Sequence, residues 1–510
     1  MITTRVTSTT REGFDALAAT HRVLPVLRTL FADGETPVGV YRKVAKAQAG
    51  SFLLESAGQG GVWSRFSFIG VSSYGVLTSE GDRAVWIDLG LCEADAFPDG
   101  LPSSPLDALS SLFHTWQTPE VEGHPPLTGG LVGFIGWETI RQIEHLPNRP
   151  PADFSVPSQA MGFVRDLIVI DHMHGTVQLI TTVLPSAGSS ADEQWADAQT
   201  RLDAMQAQLA QPSEARLDQA DFDASSTPDA RTLRGDFLDA IERAKVHIRD
   251  GDVFQVVISQ RFDLECTAEP IDVYRVLRTL NPSPYLYLLA LERPDGTPYT
   301  IVGSSPEALV KVEHGRAFTH PIAGSRPRGA TVERDVELEH ELLGDEKERS
   351  EHLMLVDLAR NDLLKVCVPG TVEVTEFMRI ERFSHIMHIV SSVEGEIRPD
   401  VTAIDVFSAT FPAGTLSGAP KPRALQIIDE LEPAQRGVYG GVVGYFGFAG
   451  DADLAIAIRT ATIESGVAHV QAGGGIVADS DPDSEFLESQ NKAAAPLRAV
   501  AIANAMRRVV

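Results

Sequence analysis

Phe411-Pro-Ala-Gly-Thr-Leu-Ser-Gly-Ala-Pro-Lys421, with Gly473-Gly-Gly475 and the acidic helix start carrying Glu485 and Glu488 behind it, is the stretch from which the rest of the chain can be read. Backbone N–H groups at glycines can approach an anion closely. Between the two glycine runs stands Arg459, whose guanidinium can grip a carboxylate with two parallel bonds. Glu485 and Glu488 are three apart on a helix, so they share a face and can meet a hard cation. The stretch as a whole suits a small, doubly anionic ligand held with a metal. Each part also has a plainer reading. Residues 414–421 lack the GxxxxGK[ST] pattern of a phosphate loop and can be a simple turn before a helix at 421–431. Arg459, read as mid-strand, can be a structural ion pair. Gly473–Gly475 can be a hairpin or bulge, and Asp481-Pro482 reads as a helix cap with a first-turn proline.

Working outward, a second acidic pair, Glu348 and Glu351, lies on one face of a helix expected at 346–365, separated at Gly344-Asp345 from another at 333–343. Asp345-x-x-Glu348 also fits a helix cap. The strand at 253–262 places Phe254, Val256 and Ile258 on one face, so Gln255 on the other faces a polar space. Phe237, Ile241, Ala244 and Ile248 repeat at helical spacing, and Gly251 is a plausible stop. His385 and His388 flank Ile386-Met387, where a histidine is usually a satisfied core residue. Glu307 follows Ser304-Ser-Pro306 and can be a first-turn acid. No Ser/His/Asp grouping is identifiable from spacing.

Further upstream, Gly129-Gly-Leu-Val-Gly-Phe-Ile-Gly136 is echoed by Gly440-Gly-Val-Val-Gly-Tyr-Phe-Gly447. The echo suggests two equivalent glycine-rich strands, one in each of two sheets. Residues 211–231 are rich in Asp, Ser, Ala and Pro and form the best linker candidate. The expected organisation is residues 1–210, a linker at 211–232, and a second domain at 233–510. The fold class is α+β, a two-domain α/β sandwich of largely antiparallel sheets with helices packed outside.

The chain has 510 residues, 43 Lys plus Arg and 70 Asp plus Glu, giving a net charge of −27. This argues against a nucleic acid or an anionic membrane as partner. It also means that an anionic substrate needs a locally positive site, which a bound cation would help to provide. Cys92, Cys266 and Cys367 are far apart and match no metal-ligand spacing, which fits a reduced, cytoplasmic protein. The first residues are polar, with no apolar signal segment, and no apolar run approaches the roughly 18 residues of a membrane span.

Several motifs occur together and in order: Gly303-Ser-Ser-Pro-Glu307, Pro321-Ile-Ala-Gly-Ser-Arg-Pro-Arg-Gly329, Glu351-His-Leu-Met-Leu-Val-Asp-Leu-Ala-Arg-Asn-Asp362, Met387-His-Ile-Val-Ser391, Gly414-Thr-Leu-Ser-Gly-Ala-Pro-Lys421 and Asn491-Lys492. On these, residues 233–498 resemble the chorismate-utilising enzymes, most closely the large subunits (component I) of anthranilate synthase. Leu53-Leu-Glu-Ser56 and Arg65-Phe-Ser-Phe-Ile-Gly70 extend the resemblance to the first half. The resemblance implies a Mg²⁺-dependent lyase reaction at the first step of tryptophan biosynthesis. Ammonia adds at C2 of chorismate, the C4 hydroxyl leaves, and loss of pyruvate gives anthranilate. It further implies Glu351 and Glu488 as direct metal ligands, with Glu348 and Glu485 acting through water. Arg459, Tyr439 and the Gly473, Gly474 and Gly475 backbone would hold carboxylates. Gly324, Ser325 and Thr415 would line the pocket, and Lys492 would add positive charge. Glu307 would be the general acid, with His388 assisting elimination.

Two positions separate the relatives. Isochorismate and salicylate synthases carry a lysine where Gln255 stands, and aminodeoxychorismate synthases commonly carry one where Ala323 stands. Both residues here favour anthranilate synthase over an aminodeoxychorismate synthase. The intact acids argue against an inactive ligand-sensing relative. Ser325, Gly474 and Pro422 depart from the family's usual threonine, alanine and valine. The resemblance also implies tryptophan as a feedback inhibitor bound by Ser56, Pro284, Tyr285 and Leu286. Ammonia would come from a separate glutamine amidotransferase subunit in a hetero-oligomer such as a heterotetramer, since none of the cysteines lies in a glycine-framed nucleophile turn.

Overall fold

The computed structural model describes residues 7–57, 65–154, 156–185, 188–212, 216–382 and 386–509. His385 lies outside the described residues. Two long antiparallel strands, Phe66–Glu80 and Gln159–Asp171, pair along their length and belong to two sheets at once. Toward one sheet, residues 159–163 pair with Gly130–Ile135, which pairs with Val442–Gly447. That sheet continues through Ala452–Ile456, Ala308–Glu313, Arg316–Thr319 and Ile386–Glu396. Toward the other, residues 68–70 pair with Ser51–Glu55, which pairs with Tyr285–Glu292. This sheet continues through Pro298–Ser305, Thr460–Glu464, Val467–Ile476 and Gln255–Glu265. Every pairing is antiparallel, and each sheet takes strands from both halves of the chain.

Apolar side chains alternate to fill the space between the sheets, with Phe134, Leu167, Tyr299, Ile301, Val443 and Ala457 fully or nearly buried there. Helices Pro105–Trp116, Ala403–Thr410 and Lys421–Leu431 cover one outer face. Helices Ala191–Leu209, Pro270–Leu280 and Pro482–Ala505 cover the other. The result is the helix–sheet–sheet–helix sandwich that the sequence implies.

The glycine-rich echo has a different meaning from the one expected. Its two copies do not occupy separate sheets; they pair with each other, Gly133 opposite Gly444. A Cβ at Gly133 would fall 1.9 Å from the Ala160 carbonyl oxygen, and one at Gly444 the same distance from that of Asp453. Glycine is therefore required by close backbone approach at the seam joining the halves. Within residues 211–232, Asp218–Gln219 pairs with Arg507–Arg508, and Asp229–Ala230 pairs with residues 262–263.

Local signals hold where they rest on capping. The Asp345 side chain accepts from the Lys347 and Glu348 N–H groups, and Asp481 accepts from Ser484 N–H. Gly251 takes φ +85° just beyond helix Arg234–Arg249.

Candidate active site

Glu307 joins strand Pro298–Ser305 to strand Ala308–Glu313. Thr415 lies in the one-turn helix Gly414–Leu416, and its hydroxyl donates to Glu307 Oε1 at 2.9 Å. Burial pushes the Glu307 carboxyl up to about 7, against the opposing pull of the Thr415 hydrogen bond and the Lys492 ammonium. A cavity of about 60 Å³ adjoins the pair and reaches His320 and Asp362.

His388 is on strand Ile386–Glu396, opposite Ser325 on strand Ile322–Pro327. The register slips between Ala323 and Ser325, and Gly324 at the slip takes φ +72°. This turns the Gly324 carbonyl to His388 Nδ1, 2.9 Å away. A carbonyl only accepts, so Nδ1 carries the proton and Nε2 is left as the basic nitrogen. Burial lowers the imidazole pKa, with nearby Arg459 acting in the same direction, so the ring stays neutral near pH 7. Ala323 is buried, and Ser325 is exposed.

Glu348 and Glu351 lie on helix Glu346–Leu364, and Glu485 and Glu488 on helix Pro482–Ala505. Two glycines bring the backbone against them. A Cβ at Gly324 would fall 3.1 Å from Glu348 Oε2, and one at Gly474 would fall 2.8 Å from Glu485 Oε2. Burial and the adjacent Glu351 raise the Glu348 pKa. Burial also raises that of Glu485, where Glu488 adds to the effect and the Lys347 ammonium, from the other helix, opposes it. Gln255 is buried, as its parity implies, and its amide donates to Glu351 Oε1 at 3.1 Å.

Arg459 is not mid-strand. It stands between strands Ala452–Ile456 and Thr460–Glu464 with φ +53°. A non-glycine residue held in that region is uncommon. Its Nη1 donates to the Lys492 carbonyl at 2.6 Å, and among the described residues it has no carboxylate partner. The ion-pair reading therefore fails, and the guanidinium is held by a neutral acceptor. Gly473, Gly474 and Gly475 are neither hairpin nor bulge. They continue strand Val467–Ile476 in register with Ser259, Ile258 and Val257. Tyr439 is buried, and burial pushes its hydroxyl pKa up to about 12, with the nearby Gly473 backbone opposing weakly. Lys492 Nζ lies 2.6 Å from Glu488 Oε1 and 3.1 Å from the Gly473 carbonyl oxygen.

A second pocket lies where the halves meet. Ser56, Pro284, Tyr285 and Leu286 all line it, with Phe66, Tyr445 and Asp453. Leu286 pairs with Glu55 across the strands. Buried Glu55 accepts from Tyr274 Oη at 2.5 Å and Arg278 Nη2 at 3.1 Å. Ser56 Oγ is buried and has no hydrogen-bond partner among the described residues. Tyr285 Oη donates to Asp453, which burial raises to about 6. Glu55, Asp453 and Tyr445 were missed by sequence reasoning. Glu55 alone left a signal, as an acid inside an otherwise apolar strand.

Residues 61–498 match the chorismate binding enzyme family. The chain is 54% identical to anthranilate synthase component 1 of Arthrobacter globiformis, covering 98% of this chain and 94% of that protein. It is 49% identical to the protein of the same description from Mycobacterium tuberculosis (strain ATCC 25618 / H37Rv), covering 98% and 97%. The crystal structure of anthranilate synthase component I from Streptococcus pneumoniae TIGR4 superposes with a TM-score of 0.73 at 33% identity, over 92% of this chain and 99% of that one. Motifs, fold and relatives agree: the chain belongs to the chorismate-binding enzymes, within the anthranilate synthase component 1 family.

Proposed function

We propose that this chain converts chorismate and ammonia to anthranilate and pyruvate. The observation that carries the reading is the meeting of a carboxyl protonated near neutral pH, Glu307, with a cationic, glycine-walled cradle. Lys492 acts on both, and Ser304 N–H, three residues before Glu307, donates to the Arg459 carbonyl. Arg459, Tyr439 and the Gly473–Gly475 backbone suit the two carboxylates of chorismate. Glu307 protonates the departing C4 hydroxyl, which leaves as water, while ammonia bonds to C2. Neutral His388 takes up a proton as the enolpyruvyl group leaves and the ring becomes aromatic. Gln255, whose amide is held by Glu351, offers no amine to activate water, and Ala323 offers no nucleophile.

The four glutamates fit Mg²⁺ by donor chemistry, being hard oxygen ligands on two facing helices. Among the described residues no three acids or histidines are drawn together closely enough to hold a metal by themselves. Two mutually repelling pairs suit a cation that keeps waters and takes further oxygens from substrate. When bound, Mg²⁺ compensates the negative charge of the ring carboxylate.

Ammonia is supplied by a separate glutaminase component. With ammonium and Mg²⁺ the purified chain turns over chorismate. With glutamine instead it is silent until that component is added, and chelation abolishes turnover. Glutamine-dependent turnover by the chain alone would refute the two-component reading.

The pocket around Ser56 takes tryptophan as feedback inhibitor. Tyr285, Phe66 and Tyr445 offer aromatic faces, and Ser56 Oγ offers a buried polar atom with no partner among the described residues. Ser56→Phe fills the pocket and is expected to raise the tryptophan concentration for half-inhibition at least about tenfold, the equivalent of about 1.4 kcal/mol, with kcat little changed. Inhibition equal to the unmodified chain's would place the effector elsewhere.

A further inference from the structure

Beneath the cradle lies an ion pair that the reaction does not use directly. The Arg436 and Glu432 side chains are 1% and 3% exposed, and Arg436 Nη2 is 2.7 Å from Glu432 Oε1. Glu432 Oε1 also accepts from Ser259 N–H and Oγ–H. Arg436 Nε donates to Glu432 Oε2 at 2.8 Å, and the guanidinium also donates to two backbone carbonyls, Leu416 at 2.7 Å and Val257 at 2.9 Å. It stacks on Trp137, 4.2 Å from the ring centroid, and stands 5.5 Å from that of Tyr439.

Each partner borders the site. Leu416 follows Thr415 in the turn Gly414–Leu416. Val257 is in register with Gly475. Tyr439 lies near the Gly473 backbone, which weakly lowers its otherwise raised pKa. Trp137 comes from the first half of the chain, and its own N–H donates to the Gly437 carbonyl. One planar, permanently charged fork thus ties four separate segments, and a lysine cannot reproduce its bonds.

We propose that Arg436 is a positioning residue: by fixing the Leu416 carbonyl it holds the Thr415 hydroxyl within hydrogen-bond reach of Glu307. This rests on the reading of Glu307 as general acid. Besides Thr415, the groups facing Glu307 are Lys492 from helix Pro482–Ala505 and, across the adjoining cavity, His320 and Asp362. None of these is bonded to Arg436.

The test is the pH profile of kcat at saturating ammonia. Glu307 works protonated, so kcat falls as pH rises through its pKa. Losing the Thr415 bond stabilises the protonated form and moves that alkaline limb upward by about one pH unit. Thr415→Val and Arg436→Lys are expected to move it alike, and the double variant no further. If only Thr415→Val moves the limb, the proposal is overturned and the role of Glu307 stands. If neither moves it, both fall. Circular dichroism checks folding. Should the lysine variant not fold, Arg436→Gln, which likewise gives up the fork that holds the Leu416 carbonyl, is read in the same way.

Discussion

Glu307→Gln is expected to retain chorismate binding and to lose about 10²–10⁴-fold in kcat, the usual worth of a positioned proton donor. The amide keeps the shape and an acceptor for the Thr415 hydroxyl, so the cradle is undisturbed. What disappears is the proton. In the unmodified chain the carboxyl lies near 7 because burial disfavours its charged form. Below that pH the acid is loaded; above it kcat declines. At saturating ammonia the unmodified chain should therefore show an alkaline limb near pH 7, and the glutamine variant none. Steady-state kinetics across pH 6–9, with binding followed separately, check this. Undiminished kcat would remove Glu307 from the chemistry.

The second large effect concerns the metal. Glu351→Gln and Glu488→Gln should each weaken Mg²⁺ by more than about 10²-fold, beyond what loss of an outer-shell partner costs. Glu348→Gln and Glu485→Gln should cost about tenfold to a hundredfold, as expected of groups acting through water. The Mg²⁺ dependence of the melting temperature gives the ranking without turnover, since a ligand of the folded state raises stability with the logarithm of its concentration over Kd. Equal losses at all four positions would contradict the division into direct and water-mediated ligands. Glu488 carries a second duty, its 2.6 Å contact with Lys492, so its variant should also raise the KM for chorismate.

Much of this was legible in the sequence because the relevant signals are local. Helix caps at Asp345 and Asp481, the parity of Gln255, and the runs around Glu307, Gly324 and Thr415 each depend on a few adjacent residues. Pairing between distant segments is a different matter. Nothing in either glycine-rich run says that its partner is the other run, because sheet register is decided by tertiary packing. Arg459 was misplaced for a related reason. The apolar residues before it resemble strand, whereas its left-handed backbone and its bond to the Lys492 carbonyl belong to the tertiary structure. The Glu432–Arg436 pair had a faint signal, an acid and a base four apart. Its partners, Val257 and Leu416, come from elsewhere in the chain.

The second pocket shows both sides of this. Ser56 and the Pro284–Leu286 run were recognisable from the family's motifs. That they converge follows from pairing of Ser51–Glu55 with Tyr285–Glu292, which joins the halves of the chain. Strand Val442–Gly447 lines that pocket with Tyr445, and Tyr439 lies just upstream of the same strand at the substrate cradle.

The most direct measurement supplies the purified chain with chorismate, Mg²⁺ and ammonium, and follows anthranilate fluorescence and released pyruvate together. The account predicts both products in equal amounts, with no dependence on added glutamine. Isochorismate, or an aminated product accumulating without pyruvate, would contradict it.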